Sequence, residues 1–161
     1  TTFAPIISRK QLERIDTMVR GSIGEGASVI AGATVLEGRN EGSFYAPTIL
    51  ENVSDDNIGF REEFFGPVLT VRTFADLEEG LAQAAHPVYG LAASVHTTDL
   101  KKALKAADSI EAGMVWINQH GRGPEFTYPA GGYKGSGFGK DMGRAGIEAF
   151  LRQKAIWANY A

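Results

Sequence analysis

The residues best suited to chemistry stand together at Arg61-Glu62-Glu63-Phe64-Phe65-Gly66-Pro67-Val68. Two carboxylates run into two aromatic rings, then a Gly-Pro pair, then a β-branched run from Val68 to Phe74. Glycine permits backbone angles that other residues avoid. Pro67 fixes its own φ and biases Gly66 toward an extended conformation. The charged and aromatic pair is therefore expected in a stiff turn just before a strand. Two readings follow from the residue types. In one, Phe64 and Phe65 are core packing at the entrance of a sheet, the common fate of apolar residues at element ends. In the other, the turn is a ligand clamp: Glu63 accepts hydrogen bonds from hydroxyl groups, and Phe65, two residues on, packs against a flat ring.

A second set of polar side chains falls in the longest stretch without periodicity, Gln119 to Met142. His120, Arg122 and Glu125 could read a polar or charged substrate end, and the planar fork of Arg122 suits a carboxylate; exposed loop charges are the competing reading. Gly135-Ser136-Gly137-Phe138-Gly139-Lys140 begins like G-x-G-x-x-G, but its sixth position is Lys140, and no serine or threonine follows to make a P-loop. Those glycines are expected to allow close backbone packing. Asn118 is expected to hold the loop that follows it through side-chain hydrogen bonds, and Trp116 to be core. His86, His96 and His120 have no metal-ligand spacing, so no metal is assigned.

These candidates need elements to position them. Ser8 followed by Gln11 is a capping-box pattern, and Leu12, Ile15, Val19 and Ile23 recur at helical spacing until Gly24 and Gly26. Ser28 to Ala31 reads as a short strand, Gly32 to Gly42 as a surface loop, and Phe44 to Leu50 as an edge or irregular strand because of Pro47. Ser54 to Asn57 reads as a solvated acidic turn. Beyond the Glu63 turn, Val68 to Phe74 predicts a strand, and Asp76 with Glu79 caps a helix whose stripe is Leu77, Leu81, Ala84 and Ala85. Leu91 to His96 predicts the next strand. Asp99 caps a helix with an inner face of Leu100, Ala103, Leu104, Ala107 and Ile110. Gly113 stands where a helix C-terminus favours glycine, and Met114 to Asn118 is a third strand.

Strand, helix, strand, helix, strand at this spacing predicts an α/β fold: a mainly parallel open sheet with flanking helices on a βαβαβ core. Ligands bind such sheets outside the carboxyl ends of the strands. There Asn118 leads into the glycine-rich stretch, and so long an irregular segment is usually functional. Asp141 is expected to cap one more helix through Ile147, Phe150 and Leu151. Lys154 to Tyr160 reads as a C-terminal strand, which with nothing after it often pairs with another element or another subunit.

The totals set bounds. The chain has 161 residues, 43% of them hydrophobic, enough for one domain with a core. Its net charge of -3 leaves no electrostatic footprint for nucleic acid or membrane. The apolar runs are too short to span a bilayer, and no signal segment opens the chain. Asn52-Val53-Ser54 fits a glycosylation sequon, read as chance without a secretory signal. A cytoplasmic protein is the expectation. There are no cysteines, hence no disulfide framework and no thiolate metal site.

The motifs together resemble the aldehyde dehydrogenase family. Glu63-Phe64-Phe65-Gly66-Pro67-Val68 is similar to its E-[IF]-F-G-P-V motif, and Glu41-Gly42-Ser43-Phe44-Tyr45-Ala46-Pro47-Thr48-Ile49-Leu50 to its G-x-[FY]-x-x-P-T-[IVL]-[FL] segment. Tyr89-Gly90-Leu91-Ala92-Ala93-Ser94-Val95, Gly113-Met114-Val115-Trp116-Ile117-Asn118 and Gly131-Gly132-Tyr133-Lys134-Gly135-Ser136-Gly137 follow in the family's order. The matched region resembles the family's C-terminal portion: residues 1–152 as part of the catalytic domain, and 153–161 as an oligomerisation tail. The resemblance implies an NAD(P)-dependent oxidation of a small-molecule aldehyde to a carboxylic acid, in a homodimer or homotetramer. It implies that Glu63 holds the ribose hydroxyls on the nicotinamide side and that Phe65 packs at the nicotinamide end. It also implies that Gln119 to Ala130 is the substrate-entrance loop, with His120, Arg122, Tyr128 and Ala130 at the pocket. Many relatives carry an aromatic where this chain has Ala130, which should reshape the pocket, with Tyr128 compensating. The family's nucleophile is a cysteine, so no catalytic residue is assigned here. The chain is expected to be inactive alone and to be a fragment of a longer enzyme; a non-catalytic assembly module with the same fold is the alternative.

Overall fold

The computed structural model describes residues 4–36, 42–121 and 125–160. The chain is α/β, as its periodicities predict, but the strands are divided among three small sheets. It forms two compact units, Thr1–Thr73 and Phe74–Ala161.

The first unit is built on α1 (Arg9–Gly24). Ser8 caps it, its Oγ accepting the Gln11 N–H at 3.2 Å. Leu12, Ile15, Met18, Val19 and Ser22 form its buried face, whereas Ile23, predicted on that stripe, is 40% exposed. Ala27, Tyr45, Leu50, Val53 and Phe64 complete the core. Beside it lies a sheet of β1 (Ser28–Ala31), β2 (Thr48–Glu51) and β3 (Val68–Thr70). β2 is central, antiparallel to β1 and parallel to β3. The edge position expected from Pro47 is thus corrected: the strand starts one residue later, so the missing N–H takes no place in the ladder. β3 is also shorter than the predicted Val68 to Phe74. Asn52, with φ 57°, turns the chain just past the end of β2, and the last bond to β3 runs from the Val71 N–H to the Leu50 carbonyl. The turn expected to be solvated contains Asn57, which is buried and caps α2 (Ile58–Arg61).

In the second unit Asp76 caps α3 (Leu77–Ala84), accepting the Glu79 N–H at 3.0 Å while Glu79 accepts from Ala75. β4 (Tyr89–Gly90) is followed by β5 (Ala92–Val95), α4 (Leu100–Ser109) and β6 (Met114–Ile117). β5 and β6 pair in parallel around α4, the predicted βαβ unit. β4 pairs antiparallel with β7 (Tyr133–Lys134), and α5 (Gly143–Glu148) follows. On α4, Ala103 and Ala106 are buried, while Leu100 and Leu104 of the predicted inner face are exposed. Gly113 is not a helix cap, which falls on Ile110. It immediately precedes β6, and a Cβ there would lie 1.7 Å from the Gly131 carbonyl oxygen. Nor does Asp141 cap α5: its main chain exchanges both hydrogen bonds with Ala130, and Met142, at φ 65°, precedes the helix without a side-chain cap. Residues 151–160 join no helix or strand within the chain, and Trp157 and Tyr160 are fully exposed. Among the described residues no helix is long and apolar enough to cross a membrane.

Candidate functional site

Glu63, Phe64 and Phe65 lie on a turn fastened to α1 by hydrogen bonds from α1 side chains to its main-chain carbonyls. Gln11 Nε2 donates to the Phe64 and Phe65 carbonyls at 3.1 and 3.3 Å. Arg14 Nη1 and Nη2 both donate to the Glu63 carbonyl at 3.1 Å, and Nη1 also to that of Phe64 at 3.1 Å. Gln11 therefore does not close the capping box that its spacing suggested. Its backbone N–H is capped by Ser8, and its side chain crosses to the turn.

The turn sorts its two aromatic rings. Phe64 joins the core at 7% exposure, and Phe65 is 75% exposed. Phe65 also carries the unusual backbone, with φ 51°. For a bulky residue the left-handed region is a genuine outlier, costing of order 1–3 kcal/mol and persisting only where the surroundings enforce it. Gly66 itself lies outside the left-handed region. Glycine is required at 66 because a Cβ would lie 2.4 Å from Ile15 Cδ1. The Glu63 side chain is exposed and, among the described residues, its carboxylate carries no hydrogen bond or ion pair. A free carboxylate can accept from two neighbouring hydroxyls, and an exposed ring two residues on can pack on a flat heterocycle.

Sequence reasoning gave Arg14 no role and Gln11 only a cap. Their spacing of three does place them on one flank of the apolar stripe. Their partners, however, are carbonyls about fifty residues away, and a carbonyl has no sequence signature.

The remaining candidates fall in the second unit. Asn118, at φ 54°, closes a reciprocal pair with Thr97: its Nδ2 donates to the Thr97 carbonyl at 2.9 Å, and its Oδ1 accepts the Thr97 N–H at 2.8 Å. It therefore ties together the carboxyl ends of β5 and β6 rather than holding the loop that follows it. His120 is exposed and meets the Trp116 ring edge-on at 5.9 Å between centroids. The Tyr128 hydroxyl is buried without a hydrogen-bond partner among the described residues. Ala130 is buried in its bridge with Asp141. Glu125 accepts from the Thr127 hydroxyl and from the Thr127 N–H, and these bonds hold its carboxyl below the usual range. Arg122 lies outside the described residues. A surface depression of about 920 Å³ is lined by Phe126, Thr127, Met142, Arg144, Ile147 and Leu151, with His120, Tyr128 and Ala130 outside its lining. Among the described residues no three His, Asp or Glu side chains gather to hold a metal.

The α/β units and the pinned carboxylate–aromatic turn agree with the family to which the motifs pointed. The model of the aldehyde dehydrogenase family matches residues 1–156, and the chain belongs to that family. A Staphylococcus saprophyticus protein named "Putative aldehyde dehydrogenase" is 43% identical over 161 residues, covering 99% of this chain and 34% of its own length. Among solved structures, the NAD+ complex of aldehyde dehydrogenase from Bacillus cereus has a TM-score of 0.94 and 36% identity, covering all of this chain and 32% of that one. The NAD+ complex of the Mycobacterium tuberculosis aldehyde dehydrogenase has a TM-score of 0.89 and 38% identity, covering 94% of this chain and 31% of that one. The chain thus spans about a third of the length of the relatives it matches.

Proposed function

We propose that the full-length protein is an NAD(P)-dependent aldehyde dehydrogenase, oxidising an aldehyde to a carboxylic acid, and that this chain contributes its Glu63 and Phe65 cofactor contacts. The observation that carries the reading is a Glu63 carboxylate unengaged among the described residues and an exposed Phe65 ring, two residues apart on a turn fixed through its main chain. When bound, the nicotinamide supplies the hydride acceptor. Glu63 accepts the two hydroxyls of the adjoining ribose, and Phe65 packs against the ring end and limits its rotation. Placement of this kind is worth much of a barrier when the reacting atoms are held at near-attack distance.

The NAD+ complexes of relatives support a dinucleotide cofactor. The choice between NAD and NADP belongs with groups near the adenosine ribose. The nucleophilic cysteine comes from the rest of the protein, since this chain has none. His120, Arg122, Tyr128 and Ala130 belong to one wall of the aldehyde passage. Residues 153–161, whose described part is exposed and unpaired, form an arm that assembles a homodimer or homotetramer in the cytoplasm. The test is the full-length protein with a panel of aldehydes and either NAD+ or NADP+, following cofactor reduction by absorbance and the acid by mass spectrometry. Stoichiometric reduction and acid formation are expected; failure to reduce either cofactor with every aldehyde, in a protein that binds the dinucleotide, would contradict the proposal.

A further inference from the structure

We infer that α1 is a splint for the cofactor turn, and that Arg14 and Gln11 are positioning residues for cofactor binding; this rests on the reading of Glu63 and Phe65 given above. The segment from Asn57 to Gly66 runs back along one side of α1. At its start, Asn57 Oδ1 accepts the Ser22 hydroxyl at 2.6 Å, and Asn57 Nδ2 donates to the Ser22 carbonyl at 2.9 Å. At its end, Gly66 lies against Ile15. Between them Arg14 and Gln11 bind the carbonyls of Glu63, Phe64 and Phe65.

Every bond from Arg14 and Gln11 goes to main chain. The Glu63 carboxylate and the Phe65 ring are left free to meet a ligand, while the backbone beneath them is fixed. That backbone needs fixing, because Phe65 sits at φ 51°. Released, it would relax toward the broad extended region, turning the Phe65 ring and carrying Glu63 with it. Arg14 fits the task because its planar guanidinium presents parallel donors to two neighbouring carbonyls. A lysine ammonium offers only a flexible point charge.

The test uses the full-length protein and reads NAD+ affinity by calorimetry, with thermal stability measured alongside. Arg14→Met and Arg14→Lys are each expected to weaken NAD+ binding by about tenfold, the effect of one lost set of hydrogen bonds. Tyr45→Phe is the control. It removes the bond from the Tyr45 hydroxyl to Asp16 in the same unit, a bond the turn takes no part in, and is expected to lower the melting temperature with affinity unchanged. Glu63→Gln separates the two claims. Weakened binding in Glu63→Gln with normal binding in both Arg14 variants would overturn the splint alone. Normal binding in Glu63→Gln and in the Arg14 variants would overturn the cofactor reading and the splint with it. Weakening in Arg14→Met that merely matches its loss of stability, and that Tyr45→Phe reproduces, would also overturn the splint.

Discussion

Replacing Gly66 with alanine should destabilise the protein through a single collision. The added Cβ would lie 2.4 Å from Ile15 Cδ1 and 3.0 Å from its Cγ1. The nearer approach is more than about 1 Å inside the ~3.5–4.0 Å optimum for carbon atoms. Ile15 cannot swing away, because it is 0% exposed and packed within the core that includes Leu12, Val19 and Phe64. Backbone strain adds nothing, since Gly66 is not left-handed. The whole cost is therefore overpacking, about 1–3 kcal/mol. The assay is denaturant unfolding of the full-length protein, with the change read from the midpoint shift at constant slope. Ile15→Val removes the colliding Cδ1 and by itself costs about 0.5–1.5 kcal/mol. The double variant should recover at least about 1 kcal/mol relative to the sum, within the coupling range of contacting residues. Additive costs would refute the steric reasoning.

Asn57→Ala should cost about 2–4 kcal/mol, because it removes the α2 cap and leaves the buried Ser22 hydroxyl without its acceptor. Adding Ser22→Ala should return part of that loss in the same unfolding assay. At the β4–β7 pair, the hydrogen bond and charge of Lys134 hold the Glu111 carboxyl below its ordinary value. A depressed folded value means stability that is present above the unfolded pKa and is lost as pH falls through the folded one. The stability of the protein should therefore decline in the acid range below the usual glutamate value, and Lys134→Met should remove that part of the decline.

The parts of this structure legible in sequence are those decided by neighbours along the chain. Ser8, Asp76 and Asp99 each cap a helix because a short polar side chain reaches an amide two or three residues on. The parallel pairing of β5 and β6 follows from the order strand, ten-residue helix, strand. Glu63 and Phe65 were singled out through motif order, not through periodicity. Arg14 and Gln11 were not legible in their present role, because both reach backbone carbonyls distant in sequence. Gly66 and Gly113 were legible as required glycines but for other reasons, since what excludes a Cβ is a distant atom: Ile15 Cδ1 in one case and the Gly131 carbonyl in the other. Asp141 looked like a cap by residue type, but its main chain pairs with Ala130, which no local pattern announces.

The central claim is that the Glu63 carboxylate holds the cofactor. Its most direct test is the NAD+ dissociation constant of the full-length protein carrying Glu63→Gln, measured beside Glu62→Gln, the exposed neighbour that caps α2 at its C-terminus. Losing charge-assisted hydrogen bonds of about 1.5–3 kcal/mol should weaken binding roughly tenfold to a hundredfold, with Glu62→Gln close to the unmodified protein. Equal affinities for all three proteins would contradict the account.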